Sequence, residues 1–355
     1  MRKLSTLFAT ALSKKYPNNG EELNTLSILN ANTKETQMGS SFNKTSSSTT
    51  ILQLNAKPFA IDVNEYSNAH GPDNPTGDYQ ASYRFTLLAG PIPQLQTYYM
   101  DSPYLIDQVW GNIVRFGNST VAYTQHLLTE AHEKMTTSKM SGMGGIPDDW
   151  YPVYAKPSNW YEIIENEENL IEIEIDLHNG DYENNDFTTI EGNEELSLTV
   201  TGPDKKSKKI DIQTETVIKK IILKVICVDF IRPWINFEIL NLQNWTVEGL
   251  EKHYYSNGKL KNNKGIFPLL KKSMLIGTKV TVEGDFEKKD LKTISEQDIA
   301  NNIISLGPFL LSTKNESIKM VETEQSTLLS SSVHQIIGYF SEQVPKSPYL
   351  SAKSL

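Results

Sequence analysis

Between Leu170 and Leu177 the chain reads LIEIEIDL. Ile171, Ile173 and Ile175 fall on one side of an extended chain and Glu172, Glu174 and Asp176 on the other, so the run predicts a strand with one buried face. Further runs bounded by turn residues predict strands at 51–54, 59–63, 79–89, 196–200, 210–212, 218–230, 237–242, 274–282, 308–311, 318–321 and 333–340. Residues 296–304 fit a short helix or another strand. Elsewhere the spacing is helical. Leu4, Leu7, Phe8 and Leu12 stand at i, i+3, i+4 and i+8, one face of an amphipathic helix. From Ser102 as N-cap, with Pro103 at the first helical position, Leu105, Val109, Trp110, Ile113 and Val114 keep a helical period. Gly117-Asn118-Ser119 breaks or bends it, and the period resumes from Val121 to about Met140.

Two stretches carry no such pattern. Residues 17–50 are rich in Asn, Ser, Thr and Gly and bury little apolar area, which predicts a flexible linker or exposed arm. Gly142-Met143-Gly144-Gly145 is a flexible joint before the β-rich half. The chain therefore divides into an N-terminal helix and polar arm (1–50), an α/β portion (51–145) with its helical region at 102–140, and a β-rich domain (146–355). The fold class expected is α+β. The C-terminal domain is an antiparallel β-sandwich-like unit, and the N-terminal portion holds short strands and one or two helices.

Charge and composition narrow the classes of function. A net charge of -9 over 355 residues opposes non-specific nucleic-acid binding. No run reaches the ~20 apolar residues of a membrane-spanning helix. MRKLSTLFATALSKK loosely imitates a signal peptide, but Ser5, Thr6, Thr10 and Ser13 interrupt its apolar part. The expectation is a docking helix and a cytoplasmic protein, with export lacking a clear signal peptide as the alternative. The single cysteine, Cys227, excludes an intrachain disulfide and sits in an apolar run, where a thiol acts as a small hydrophobe.

Candidate chemistry is sparse. His126, Glu130 and Glu133 share a helix face without the HExxH pattern. The loop from Asp176 through Asp181 to Asp186 could offer oxygens to a cation but fails the EF-hand spacing, and a solvated hairpin loop explains it better. No cofactor is expected. Lysine-rich stretches at 205–209 and 259–264 read as soluble loop tips. Trp150, Tyr151, Tyr154, Trp160 and Tyr161 form an aromatic segment that either presents a binding platform for a peptide or glycan or covers one end of a core. Arg232-Pro233-Trp234 ends the strand at 218–230. Proline cannot donate to a ladder, so the triplet reads as a structural corner, with Trp234 turning inward near Trp245 and Arg232 bonding carbonyls or stacking on a ring.

These residues carry a resemblance. Arg232-Pro233-Trp234, Asn244-Trp245, Gly265-Ile266-Phe267-Pro268-Leu269-Leu270 and the ending Gln335-Ile336-Ile337-Gly338-Tyr339 with Val344-Pro345 and Pro348 resemble an uncharacterised group of bacterial and fungal proteins. Lys271 stands where that group has proline. The resemblance covers mainly the second half and implies a shared fold, with no activity attached to it. The function expected is a non-enzymatic interaction or structural protein in an assembly, toxin- or secretion-associated, with a protein partner or self-association. A glycan-directed hydrolase is one alternative. A pore-forming toxin using residues 36–63 is another, although its segments fall short of the ~9–11 residues of a spanning strand.

Overall fold

The computed structural model describes residues 3–15, 50–142, 146–178, 187–192, 194 and 196–349. Its fold is α+β, built on a large mixed sheet. The backbone of that sheet is the long antiparallel pair β11 (Val217–Ile231) and β13 (Leu269–Asp285). β13 is long enough to serve two neighbours in turn. Its first half pairs with β18 (Gln335–Gln343), and its second half pairs with β17 (Thr327–Ser331), beyond which lies β16 (Lys319–Glu322). The free edge of β11 is likewise shared by β7 (Ile171–Asp176) and β6 (Tyr154–Lys156). β1 (Thr50–Ala60) adds to β18, and the two-residue strands β3 (Tyr98–Tyr99) and β8 (Thr188–Thr189) add to β1 in parallel.

Both faces of this sheet are covered. On one face lie the helices α2 (Tyr79–Ala89), α3 (Ile106–Phe116), α4 (Ala122–Thr137), α5 (Trp160–Ile163) and α6 (Glu238–Asn241). Their apolar residues meet Ile226, Val228, Phe230, Met274, Ile276 and Ile336 of the sheet, with Trp110, Trp160, Trp234 and Trp245 buried among them. This core draws on both sides of residue 145. On the other face lie α1 (Leu4–Lys15) and a four-stranded sheet of β10 (Ser207–Lys209), β9 (Leu198–Thr201), β14 (Ile303–Leu306) and β15 (Phe309–Ser312), with α7 (Lys288–Ile299) beside it. Phe8, Leu12, Phe309, Phe340, Cys227 and Ile337 fill that second core. This sheet-on-sheet layer is the sandwich-like part of the fold. Gly307, at φ +55°, takes the first position of the two-residue turn joining β14 to β15. Two small pairings complete the strands: β2 (Pro91–Pro93) with β4 (Asp101–Leu105), and β5 (Gly117–Ser119) with β12 (Trp245–Val247).

Several elements differ from the sequence expectation. Residues 79–89 form a helix, not a strand. Asp78 accepts from the backbone N–H of Gln80 and Ala81 as its N-cap, and Ala81, Ser82, Phe85 and Ala89 make a buried helical stripe. Ser102 and Pro103 lie in β4, and the helix starts at Ile106 because β4 is held against β2. Residues 237–242 hold the single turn α6, which buries Ile239 and Leu240. Ile210 and Ile212 pack on the second core without forming a strand. Residues 296–304 divide between the end of α7 and the start of β14. Among the described residues no helix is long and apolar enough to cross a membrane. Residues 36–49 of the segment proposed to form a pore lie outside the described residues, and β1 is an internal strand of the main sheet.

Candidate functional site

Two irregularities of the main sheet fall close together. In the β1–β18 ladder, pairing jumps from Leu54–Gly338 to Phe59–Ile336, so residues 55–58 bulge out opposite Ile337. In the β13–β18 ladder, Lys272 is the extra residue between Lys271–Ser341 and Ser273–Phe340. Bulges bend a strand and re-aim its side chains, and they collect beside functional sites. Here Lys272 is exposed, whereas Lys271 is carried inside.

Between the two bulges lies an open cleft of about 460 Å³. Asn55, Lys57 and Phe59 of the β1 bulge form one wall, and Arg84, Leu87 and Leu88 of α2 form another. Tyr66, Tyr99, Tyr339 and Lys271 line it deeper in, and Asp101 stands beside Tyr99. Phe59 and Leu87 are about half exposed at the mouth, at 51% and 53%. The buried amide of Asn55 donates to Ile336 O at 2.6 Å, satisfying a carbonyl that the broken ladder leaves free. Gln53, also buried, donates to Gln94 O and Gln96 O and so tethers the segment leading to Tyr99.

Lys271 is 1% exposed. Its Nζ donates to Leu88 O at 2.9 Å and to the Tyr99 hydroxyl at 2.6 Å. The Tyr99 hydroxyl in turn donates to Asp101 Oδ1. The same Nζ stands 4.8 Å from the Tyr339 ring centroid and 5.0 Å from that of Tyr99. Burial pulls the Lys271 ammonium down to about 7; the nearby Arg232 charge adds to this and Asp101 opposes it. Burial therefore favours the neutral amine far more than in an ordinary lysine. Burial pushes the Tyr99 and Tyr339 phenols well up, so both remain protonated hydrogen-bond donors.

Arg232 supports this arrangement from behind. It is buried, and its guanidinium donates to Lys271 O at 2.8 Å, Ala89 O at 2.9 Å and Phe230 O at 3.3 Å. Its carbon lies 5.5 Å from the Phe230 ring centroid. Lys271 and Arg232 thus take the carbonyls of Leu88 and Ala89, the last two residues of α2, where the helix leaves acceptors unpaired and favours positive charge. Burial lowers Arg232 to about 9, and a guanidinium with that value is still charged at neutral pH.

The residues singled out from sequence are distributed around this helical face. Trp234 is buried, donates from Nε1 to Pro152 O at 2.8 Å and packs on Tyr151, while Trp245 stacks on Tyr255. Pro233 follows β11 in the turn that delivers Trp234. In the aromatic segment Trp150 and Trp160 are buried, and Tyr151, Tyr154 and Tyr161 are half-buried. Trp160 reaches the cleft indirectly, through Tyr66, with ring centroids 5.9 Å apart. Asp176 Oδ1 accepts from the backbone N–H of His178 in a turn, and Asp181 and Asp186 lie outside the described residues. His126 pairs with Glu130 on an exposed helix face, and no group of His, Cys, Asp and Glu among the described residues is arranged to hold a metal. Cys227 is buried, and burial raises its thiol well above the usual range, which suits packing and not nucleophilic attack.

Sequence reading did not single out Lys271, Tyr99, Asp101 or Tyr339. One signal was available for the lysine. Tandem Lys271-Lys272 interrupts a long apolar run. When both faces of a strand are covered, alternation sends at least one of two adjacent lysines inward. Compared with protein-family models, curated proteins and solved structures, the chain matches none.

Proposed function

We propose that this chain is a ligand-binding protein whose cleft takes a small organic acid with an apolar body. The observation that carries this reading is the cleft's lining. Lys57 and Arg84 contribute two cations against the one carboxylate of Asp101, within a chain of net charge -9. Phe59, Leu87, Leu88 and Pro91 supply apolar walls, and its volume falls within the ~300–1,000 Å³ common for small-molecule sites. A cationic pocket in an acidic protein concentrates anions locally against the overall field. The reading departs from the protein-assembly role expected from sequence, since its ligand is a small molecule and not a protein partner. A two-carboxylate hydrolysis has no pair of acids here, because Asp101 is the cleft's sole carboxylate among the described residues.

Titration calorimetry with phenyllactate and with phenethylamine tests it. These probes share an aromatic body and differ in charge. The acid is expected to bind and the amine to fail, and Lys57→Ala/Arg84→Ala is expected to weaken the acid at least tenfold. Equal binding of both probes, or binding of neither, overturns the proposal.

A further inference from the structure

The cleft reading leaves one feature unused. Binding an anion calls for a charged lysine in water or at a polar wall. Lys271 is instead almost wholly buried in the floor of the cleft, near Arg232, with a phenol and then a carboxylate leading outward from its Nζ. We infer that Lys271 captures a carbonyl-bearing ligand, an aldehyde or 2-oxo acid seated in the cleft, by forming an imine through its Nζ. The inference rests on the cleft being a ligand site and specifies the ligand's class.

Three observations converge on it. A nucleophilic amine must be unprotonated, and burial next to a guanidinium disfavours the ammonium form. The nucleophile also needs a proton path. Lys271 Nζ donates to the Tyr99 oxygen and Tyr99 donates to Asp101, which is exposed, so a proton leaving the amine passes through the phenol to a carboxylate open to solvent. Finally, the substrate needs room beside the amine, and the cleft supplies it. Capping α2 explains the bond to Leu88 O but neither the relay nor the space, and Arg232 already serves the neighbouring carbonyl of Ala89.

The step balances without a redox partner. The neutral amine attacks the carbonyl carbon, a C–N bond forms as the carbonyl π bond opens, the nitrogen gives one proton through Tyr99 to Asp101, and the oxygen becomes a hydroxyl by taking a proton from solvent in the open cleft. A second proton, returned through Asp101 and Tyr99, leaves with that hydroxyl as water, and the C=N bond closes. The protonated imine retains one N–H, enough to keep either Leu88 O or the Tyr99 oxygen as its acceptor.

The experiment incubates the full chain with phenylpyruvate and sodium cyanoborohydride, then locates the reduced adduct by peptide mass mapping. The expected result is labelling at Lys271 at least tenfold faster than at any exposed lysine, slowed by excess phenyllactate. Labelling should persist in Lys272→Ala, vanish in Lys271→Arg and fall at least tenfold in Tyr99→Phe with an unchanged circular dichroism spectrum. Adducts spread over surface lysines, or an undiminished yield in Lys271→Arg, overturn the inference. If phenyllactate binds in calorimetry while phenylpyruvate leaves no adduct on Lys271, the imine is wrong and the cleft reading survives. If neither compound binds, both fall.

Discussion

The two faces of the main sheet solve the same packing problem with different materials. Under α1 and the small sheet, Phe8, Phe309, Phe340 and Ile337 close an interior that among the described residues holds no buried cation. Under α2–α6, the interior includes Arg232 and Lys271 along with the tryptophans. The buried charge near the first face is Asp290 of α7, which accepts from Gln213 N and from the Thr216 hydroxyl. It ties down a loop and is answered entirely by protein donors. Lys271 is answered by a helix carbonyl and a phenol and borders a cleft. Burying charge is costly even when it is paired. One face meets that cost to hold a loop; the other meets it at Arg232, and beside the cleft it favours release of the Lys271 proton.

The largest expected effects test whether the faces separate stability from binding. Phe309→Ala and Trp234→Ala each remove a fully buried ring and should each lower unfolding free energy by about 3–5 kcal/mol in urea denaturation. They should differ in what the surviving folded protein does. Phe309→Ala should bind phenyllactate within twofold of the parent. Trp234→Ala should weaken it severalfold, because Trp234 follows the Arg232–Pro233 corner whose guanidinium holds Lys271 O. Identical binding losses in the two variants would show that the faces are not independent.

The same contrast explains what was legible beforehand. LIEIEIDL reads correctly because β7 has one buried face and one wet one, so Ile173 and Ile175 go in while Glu172 and Glu174 stay out. YQASYRFTLLA misleads because the inner stripe of α2 uses small or polar residues, Ala81, Ser82 and Ala89, and carries little apolar signal. Its clearest marker was Asp78, one residue before the run. The cleft is harder still. Tyr99 reaches Lys271 only because a two-residue strand pairs in parallel with β1, a long-range event without local pattern. The strand containing Lys271 was visible only from Met274 onward, as the run at 274–282 that starts past the lysine. The bulge at Lys272 was not visible, since it depends on the register with β18.

A middle-sized effect lies in the pH dependence. In the folded chain Lys271 releases its proton near 7, whereas unfolded lysine holds it to about 10.4. Between those values the unfolded state binds more protons, so raising the pH favours folding. The charged and polar groups facing the amine are Arg232 from the turn after β11, Asp101 from β4, Tyr99 from β3 and Tyr339 from β18. From pH 7 to 9 the parent should gain about 1–2 kcal/mol relative to Lys271→Met, measured as the difference between two denaturation series. Parallel curves would mean that the amine is charged throughout.

The smallest effect is expected one residue away. Lys272 projects outward and stands 3.6 Å from Glu342, both solvent-accessible, a geometry worth ~0–1 kcal/mol. Lys272→Met should therefore shift stability by no more than about 0.5 kcal/mol and leave both phenyllactate affinity and the pH slope unchanged. Chemically the two lysines are identical and adjacent, so composition, chain position and strand are controlled for. They differ in the face of β13 to which each projects. If Lys272→Met reproduces the loss of slope seen in Lys271→Met, the register of β13 against β18 is shifted by one residue and Lys272 is the inward amine. If it does not, the inward placement of Lys271 alone accounts for the slope, and strand alternation is what divides an ordinary lysine pair into one solvated ion and one interior amine.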